Sequence, residues 1–188
     1  MDRDGSNPVQ LTFGNSESHW PQFSADGKSV IYQHFEPGVA STLWRVPIEG
    51  GTPVKVTDGF AARPAVSPDG KRLGFWHNDG QTNSPWRLGL FSLESGTLIK
   101  TFDVAPTVQV NWDTMIRWTA DGRSLTYINN HAGIENVWAQ PIDGGAARQI
   151  TNFTENRILS FDWSKEGDLA ASRGVVTSDV VLITDVGP

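Results

Sequence analysis

The sequence contains no cysteine and no long apolar stretch. The missing thiols exclude disulfides and thiolate chemistry, so the redox compartment cannot be inferred from them. No segment approaches the roughly 20 apolar residues of a membrane helix, and the N-terminus lacks the apolar core of a signal peptide. We therefore expect a soluble chain of unknown localisation, periplasmic or cytoplasmic depending on its parent protein.

Clusters of basic residues are also missing. The 188 residues carry a net charge of −6, and the 15 Lys and Arg are scattered in runs of no more than two. Binding to nucleic acid relies on clustered cations that displace counterions from phosphates. Direct binding to nucleic acid is therefore not expected.

Helical periodicity is the third absence. No segment sustains apolar residues at positions i, i+3, i+4 and i+7, so we expect almost no helix. The chain instead has 19 Gly and 11 Pro, which indicate many turns, together with eight Trp and nine Phe. This composition is that of a globular protein with a surplus of large rings and many short strands.

A short motif recurs four times along the chain. The copies are Phe23-Ser24-Ala25-Asp26-Gly27, Val66-Ser67-Pro68-Asp69-Gly70, Trp118-Thr119-Ala120-Asp121-Gly122 and Trp163-Ser164-Lys165-Glu166-Gly167. Their glycines are 43, 52 and 45 residues apart. A period near 45 residues with four short strands per unit is typical of a β-propeller, in which each unit is called a blade.

Each unit is predicted to form an antiparallel meander of four strands. One strand precedes the motif, an alternating strand such as Ser29–Tyr32 follows it, and two more strands complete the unit. The predicted fold class is all-β, with about four blade equivalents that are part of a larger propeller or of a closed or dimeric ring. The predicted divisions are an orphan outer strand over 1–13 and blades over 17–57, 60–102, 104–152 and 155–188, the last without its outer strand.

The recurring Asp-Gly pairs allow two interpretations. Asp-Gly between two strands is a strong hairpin signal, because the turn needs a positive φ that Gly adopts without steric cost. Catalytic or metal-binding carboxylates at these positions would lie on separate blades, too far apart to converge. We therefore predict no catalytic residue and assign to structural turns Asp26, Gly27, Asp69, Gly70, Asp121, Gly122, Glu166 and Gly167.

The two ends of the chain match incomplete units. Residues 4–12 correspond almost position for position to residues 49–57, so they resemble a fourth strand without the first three. The last unit stops after the third strand, near Ile183. Because ring closure removes exposed strand edges, we expect the N-terminal strand to complete the last blade. Two arrangements remain open: a C-terminal piece of a longer propeller, or a ring closed by one chain as four blades or by two chains as eight.

Several of these motifs together resemble a known repeat family. The W-[ST]-x-D-G turns, the I-[DE]-G-G turns at 48–51 and 142–145, and the following strands that end in L-T or I-T resemble the TolB-type propeller repeat, which is similar to the WD repeat. The resemblance covers essentially the whole chain. The closing segment, 158–183, is similar to the last repeat of propellers attached to bacterial serine/threonine kinases and winged-helix regulators. Such family members usually have six or more blades.

The candidate binding residues lie at strand ends and in long loops. In a propeller the first strands line a central channel, and the loops after the second and fourth strands crowd one face, which we call the loop face. His34, His77 and Asn129 lie seven residues after a motif glycine, and Arg173 takes that place in the fourth unit after a one-residue deletion. A polar binding ring and ordinary polar strand ends both fit this pattern.

The tryptophans divide into two groups. Trp86 and Trp112 flank the long loops of the second and third units and are candidate partner contacts. The other six fall on predicted strands, and packing between neighbouring blades explains them. They are Trp20, Trp44, Trp76, Trp118, Trp138 and Trp163.

The preferred function is a non-enzymatic interaction, scaffold or sensor module with a protein or peptide partner. Further partners that we expect are a second copy of this chain, forming a homodimer, or the upstream blades of a longer parent chain. Zinc needs three or four converging ligands, and the four His at 19, 34, 77 and 131 show no close spacing, so no metal or cofactor is predicted. No G-x-S-x-G elbow, phosphate loop or dinucleotide fingerprint occurs. The alternative is an accessory propeller of an enzyme, either a prolyl-oligopeptidase-like hydrolase or a propeller-type sugar lyase.

Overall fold

Antiparallel strands make up nearly all of the regular structure. The computed structural model describes residues 4–81, 84–108, 110 and 114–175, and within these ranges it contains fourteen β-strands and no helix. The strands form three four-stranded sheets and one two-stranded sheet, in each of which consecutive strands are neighbours. The predicted all-β fold of antiparallel meanders is confirmed.

The sheets follow one another along the chain as blades 1 to 4. Blade 1 comprises β1 (Glu17–Phe23), β2 (Ser29–Phe35), β3 (Thr42–Pro47) and β4 (Val54–Lys55). Blade 2 comprises β5 (Phe60–Val66), β6 (Arg72–Asn78), β7 (Arg87–Ser92) and β8 (Thr97–Asp103). Blade 3 comprises β9 (Arg117–Trp118), β10 (Ser124–His131), β11 (Ile134–Pro141) and β12 (Arg148–Gln149). Blade 4 comprises, within the described residues, β13 (Arg157–Trp163) and β14 (Leu169–Gly174).

The blades stand with their first strands on a common side. β1 contacts β5, β5 contacts β9, and β9 contacts β13. The recurring motif joins the first and second strand of each blade. In blade 1, Gly27 N donates to Ser24 O at 2.9 Å, and Ser24 Oγ accepts from Ser29 N at 2.9 Å. The φ of 67° at Gly27 is one that residues with a Cβ rarely adopt, so glycine suits the position.

Large apolar side chains pack mainly between blades. The largest cluster joins blades 2 and 3, and its most buried members are Trp76, Leu88, Ile116, Leu125 and Tyr127. A second cluster joins blades 1 and 2 through Ile31, Leu43, Ala61, Leu73, Phe75 and Phe91. A smaller one joins blades 3 and 4 through Ile128, Val137, Ile158 and Phe161. Burial raises the pKa of the Tyr127 hydroxyl to about 12, so this core group stays neutral.

Indole N–H groups link three pairs of elements across blade boundaries. Trp76 Nε1 donates to Thr114 O at 3.1 Å, and Trp118 Nε1 donates to Ala65 O at 2.8 Å. Trp163 Nε1 donates to Thr126 Oγ1 at 3.0 Å. A tryptophan in these places supplies both apolar area and a donor, so the buried indole N–H is satisfied. Trp44 differs, because its Nε1 donates to Thr42 Oγ1 within blade 1.

The recurring threonine after the fourth strand has a local role. Thr57 Oγ1 accepts from Leu43 N, and Thr151 Oγ1 accepts from Val137 N, each at 3.0 Å. These hydroxyls satisfy an N–H of the third strand beyond the point where the two-residue β4 and β12 stop pairing. β4 and β12 therefore end after two residues, because a side chain replaces the backbone partner.

The N-terminal segment forms no strand between residues 4 and 16. Leu11 packs instead against the cluster of Val30, Tyr32 and Val46 in blade 1. Pairing of this segment with the last blade stays a prediction, as do the blade divisions at residue level. The third strand predicted near 180–183 lies outside the described residues.

Candidate functional site

The turn carboxylates are engaged by their own turns. Asp26 Oδ1 accepts from Ser24 Oγ at 2.6 Å and from Lys28 N at 3.0 Å. The same two bonds recur at Asp69, from Ser67 and Lys71, and at Asp121, from Thr119 and Arg123. In all three cases the hydroxyl donor is the main cause, and the backbone donor the second, of a pKa below the usual value of an aspartate. These groups stay ionised and bonded within the turn, which is the geometry of a structural role.

The four repeat-equivalent polar residues contact their own surroundings. The His34 ring lies 5.1 Å from that of Trp44, and His77 Nδ1 lies 3.1 Å from Phe60 O. Asn129 is buried and accepts from Thr107 Oγ1 at 2.7 Å, while the Arg173 guanidinium lies 3.7 Å from the Phe153 ring centre. None of these contacts joins one of the four to another. Their role in binding stays a prediction.

Of the two tryptophans flanking long loops, the structure describes one. Trp86 precedes β7 and packs edge-on against Phe60, with the ring centres 5.2 Å apart. Trp112 lies outside the described residues, so its role stays a prediction.

Trp86 lines a pocket between blades 1 and 2 on the loop face. We call this cavity, with a volume of about 200 Å³, the loop-face pocket. Its walls include the aromatic rings of Trp20, Phe35, Phe60 and Trp86. The remaining lining residues are His19, Gln33, Ser41, Ala62, Arg63 and Val110. An apolar concavity with a few polar groups is the usual form of a binding site.

Two matched backbone irregularities form the inner wall of this pocket. The strand register shifts between His19 and Gln22 in β1 and between Ala62 and Ala65 in β5. At these bulges Trp20 has a φ of 49° and Arg63 a φ of 58°. Residues before proline normally adopt extended conformations, and positive φ at a large residue is strained. Such strain persists where the surrounding structure holds it, and it re-aims side chains near functional sites.

A buried polar network holds the second bulge. Arg63 N donates to Gln33 Oε1 at 3.0 Å, and Gln33 Nε2 donates to Ser41 Oγ at 2.7 Å. Ser41 Oγ in turn donates to Ala61 O at 3.1 Å. Because Gln33 and Ser41 belong to blade 1 and the other two to blade 2, the network fixes the pocket across the blade boundary. Satisfied buried networks of this kind give rigidity.

The Arg63 guanidinium stacks on the Trp20 indole, 3.8 Å from the ring centre. Beyond this pair lies a second cavity of about 220 Å³ between the first strands, which we call the channel pocket. It is lined by Trp20, Pro21, Gln22, Arg63, Pro64, Met115, Ile116 and Arg117. The stacked pair therefore forms a wall that both pockets share.

Trp86 departs from the structural pattern of its repeat position. The strand pairs Gln33–Leu43, Trp76–Leu88 and Ile128–Val137 correspond to one another in blades 1, 2 and 3. Each of Ser41, Trp86 and Glu135 lies two residues before the second member of its pair, so these three positions are equivalent. Ser41 bonds to Ala61 of the next blade, and Glu135 Oε2 accepts from Ile158 N of the next blade at 2.7 Å. In blade 2 the position carries an indole that lines the pocket instead.

Sequence reasoning assigned Trp20 to packing between blades and did not select Arg63. A signal was available, because both residues lie seven positions before a motif glycine and both precede proline. Among the residues that the structure describes, no three His, Asp or Glu side chains are grouped closely enough to hold a metal ion. The described ranges also contain no helix that could span a membrane.

Comparison with known proteins decides the family. A model of the TolB beta propeller domain matches residues 1–179. The chain belongs to the TolB beta propeller family. A solved structure of TolB from Acinetobacter baumannii is similar at a TM-score of 0.70 and 21% identity, covering 90% of this chain and 41% of that one. The structure of a putative TolB from Agrobacterium tumefaciens gives a TM-score of 0.66 at 18% identity, covering 87% of this chain and 57% of that one.

A curated relative of this TolB propeller is a dipeptidyl-peptidase. The probable dipeptidyl-peptidase 5 of Aspergillus flavus is 26% identical in an alignment 176 positions long that covers 78% of this chain and 23% of the relative. The chain thus spans about a quarter of the length of that peptidase. The predicted TolB-type propeller is confirmed. Similarity of its closing segment to kinase and winged-helix propellers stays a prediction.

Proposed function

We propose that this TolB propeller chain is a non-enzymatic interaction module whose loop-face pocket receives a peptide segment of a partner protein. The observation that carries the proposal is a preformed pocket with four aromatic rings, opened by bulges at Trp20 and Arg63. Aromatic and arginine side chains in such pockets contribute much of the energy of protein interfaces. The likeness to TolB structures supports the fold on which the pocket depends and not the identity of a partner.

Two further observations support a binding role for this pocket. The positive φ at Trp20 and Arg63 is not common to all blades, because the equivalent positions of blades 3 and 4, Met115 and Ser160, have no positive φ. At the position where Ser41 and Glu135 bond to the next blade, blade 2 carries the Trp86 indole, which lines the pocket. Both departures from the repeat occur around one cavity.

Substitution at Trp86 tests the proposal. Peptides selected on the chain from a random displayed library should bind Trp86→Ser, which restores the Ser41 side chain at the equivalent position, at least about tenfold more weakly. Phe23→Ser is the matched control, because Phe23 is a 69% exposed aromatic residue at the opposite end of β1. Unchanged binding of Trp86→Ser, with intact folding by circular dichroism, would contradict the proposal.

A second candidate function is an accessory propeller of a peptidase, favoured by the similarity to dipeptidyl-peptidase 5. In that case a hydrolase domain with a G-x-S-x-G elbow would be encoded in the same reading frame. A kinase or winged-helix segment in that frame would instead support a sensor or scaffold role within a regulator. Sequencing the genomic DNA on both sides of the coding segment separates these parents.

A further inference from the structure

The core position six residues after the motif glycine carries a different side chain in each of the first three blades. Blade 1 has Gln33 there, blade 2 has Trp76 and blade 3 has Ile128, and all three are buried. An amide at a position that apolar side chains fill elsewhere costs free energy unless its polar atoms are bonded. Glutamine at this position of blade 1 therefore points to a requirement for its hydrogen bonds.

Each of these side chains reaches toward the next blade, but the three offer different chemistry there. Gln33 Oε1 accepts from Arg63 N at 3.0 Å. Trp76 Nε1 donates to Thr114 O at 3.1 Å, and Ile128 makes apolar contacts in the cluster that joins blades 3 and 4. An indole N–H only donates, and an aliphatic side chain neither donates nor accepts. Of the three, only the glutamine can satisfy a backbone N–H of the neighbouring strand.

At these three boundaries the acceptor coincides with a positive φ in the next blade. Arg63, which bonds to Gln33, has a φ of 58°, whereas Met115 and Ser160, at the same position of blades 3 and 4, have no positive φ. Arg63 also lies inside the register shift of β5, between two consecutive residue pairs of the ladder with β6. A buried backbone N–H that leaves its ladder costs free energy unless another acceptor replaces the carbonyl. Gln33 supplies that acceptor.

The Gln33 amide is itself held in place. Its Nε2 donates to Ser41 Oγ at 2.7 Å, and Ser41 Oγ donates to Ala61 O at 3.1 Å. Gln33 is 8% exposed and Ser41 is 1% exposed, so water competes little for these bonds. Because the bonds hold the amide by its nitrogen, they keep Oε1 directed at Arg63 N. Satisfied polar networks in a buried site are rigid.

We propose that Gln33 is a positioning residue of the loop-face pocket: its amide holds the bulge at Arg63, and thereby the stacked Trp20–Arg63 wall, in the shape that binds a peptide. This inference rests on the peptide-binding function proposed above. An apolar side chain in place of Gln33 fills the same core position but removes the acceptor of Arg63 N. The bulge then relaxes, and the guanidinium leaves the face of the Trp20 indole.

Three substitutions separate positioning of the pocket from general stability. Gln33→Ile gives blade 1 the side chain that blade 3 carries at this position, and it removes the acceptor. Gln33→Glu is the rescue variant, because a carboxyl oxygen can accept from Arg63 N in the same place. Gln140→Ile is the matched control. Gln140 is a buried glutamine of blade 3 whose amide donates to Pro141 O and Gly145 O, and it does not line the loop-face pocket.

Two measurements are compared for each variant. The Arg63 guanidinium lies 3.8 Å from the centre of the Trp20 ring, so the ring current should shift the magnetic resonances of the Arg63 side-chain protons upfield. This shift should be lost in Gln33→Ile and kept in Gln33→Glu and Gln140→Ile. Library-selected peptides whose binding depends on Trp86 should bind Gln33→Ile at least about tenfold more weakly than the unmodified chain. Their affinity for the other two variants should stay within about threefold.

Retention of both the ring-current shift and the peptide affinity in Gln33→Ile would overturn the inference, as would loss of both in Gln33→Glu. An equal loss of affinity in Gln140→Ile would attribute the effect to general destabilisation and also overturn it. A lost shift with unchanged affinity would overturn it too, but would leave the interaction module intact. If Gln33→Ile does not fold, Gln33→Met, whose side chain has the same length, decides by the same measurements. Absence of any peptide whose binding depends on Trp86 would instead overturn the proposed function, and this inference with it.

Discussion

Gly27 and Gly70 occupy the same turn position with nearly the same φ, 67° and 69°, but the space around them differs. A Cβ added at Gly27 would meet no atom within 4 Å, whereas one added at Gly70 would overlap the Cβ of Ala25 in blade 1. Gly27→Ala should therefore lower the free energy of unfolding only by the cost of the left-handed conformation of alanine, about 1–2 kcal/mol. Gly70→Ala should lower the free energy of unfolding by at least about 1 kcal/mol more, because the turns must move apart. Urea denaturation of both variants measures the difference, and equal losses would mean that the two turns separate without resistance.

A second prediction at the scale of residues concerns the stability of the folded chain at acidic pH. Because hydroxyl and backbone donors hold the pKa of Asp26, Asp69 and Asp121 below the usual value, these groups are more acidic in the folded chain than in the unfolded one. Their contribution to stability is fully present above the pKa of the unfolded chain, about 4, and is lost as the pH falls through the pKa of the folded chain. The free energy of unfolding should therefore decrease as the pH is lowered from about 5 to about 2.

The matched variant replaces the three aspartates by asparagine. Its stability should be lower at pH 7, and its loss on acidification should be smaller than that of the unmodified chain, since the titrating groups are gone. Urea midpoints at several pH values provide the comparison. Parallel pH profiles for the two proteins would show that other carboxylates cause the acid sensitivity.

At the scale of strands and turns, the threonine that follows the fourth strand gives the third prediction. Thr151→Val keeps the shape of the side chain but removes the acceptor of Val137 N and the donor to Asn136 Oδ1. Asn136 Oδ1 keeps the bond from Phe153 N, but Val137 N loses its acceptor, and leaving a buried donor without a partner costs about 1–3 kcal/mol, so the free energy of unfolding should fall by that amount. Thr52→Val is the control, because Thr52 is exposed and should change stability little. Equal effects of the two substitutions would contradict the role assigned to Thr151.

The existence and order of the strands follow from the sequence because they depend on local signals. Alternating residues such as those after Gly27 and the repeated Ser-x-Asp-Gly turns mark where strands begin and reverse. Strand lengths follow less well, since β4 and β12 end where Thr57 and Thr151 replace a backbone partner. The bulges at Trp20 and Arg63 were not predicted, because residues before proline ordinarily remain extended. Of the residues that line the loop-face pocket, only Trp86 was named as a candidate binding residue, since the pocket walls come from two blades and neither repeat alone determines how the blades pack.

For the molecule as a whole, unequal packing between blades predicts unequal protection from hydrogen exchange. Repeat proteins are stabilised by each unit and by contacts with its immediate neighbours. Among the residues that the structure describes, the cluster between blades 2 and 3 has eleven buried members, whereas that between blades 3 and 4 has four. Most residues of β14 are exposed, while β6 and β10 are largely buried.

We therefore expect amides of β6, β7, β10 and β11 to exchange most slowly, close to the rate set by global unfolding, and those of β13 and β14 to exchange much faster through local opening. Glu135→Gln should increase this difference in exchange rates, because it weakens the contact between blades 3 and 4. The carboxylate of Glu135 accepts from Arg157 Nε at 3.0 Å and from Ile158 N at 2.7 Å. Arg148→Gln, an exposed substitution on β12 of blade 3, should leave the exchange rates of β13 and β14 unchanged. Hydrogen–deuterium exchange, measured by mass spectrometry of peptides from each strand, compares these rates in the unmodified chain and in the two variants. Protection of β13 and β14 equal to that of β6 would contradict nearest-neighbour packing as the source of stability and would require a further contact that covers blade 4.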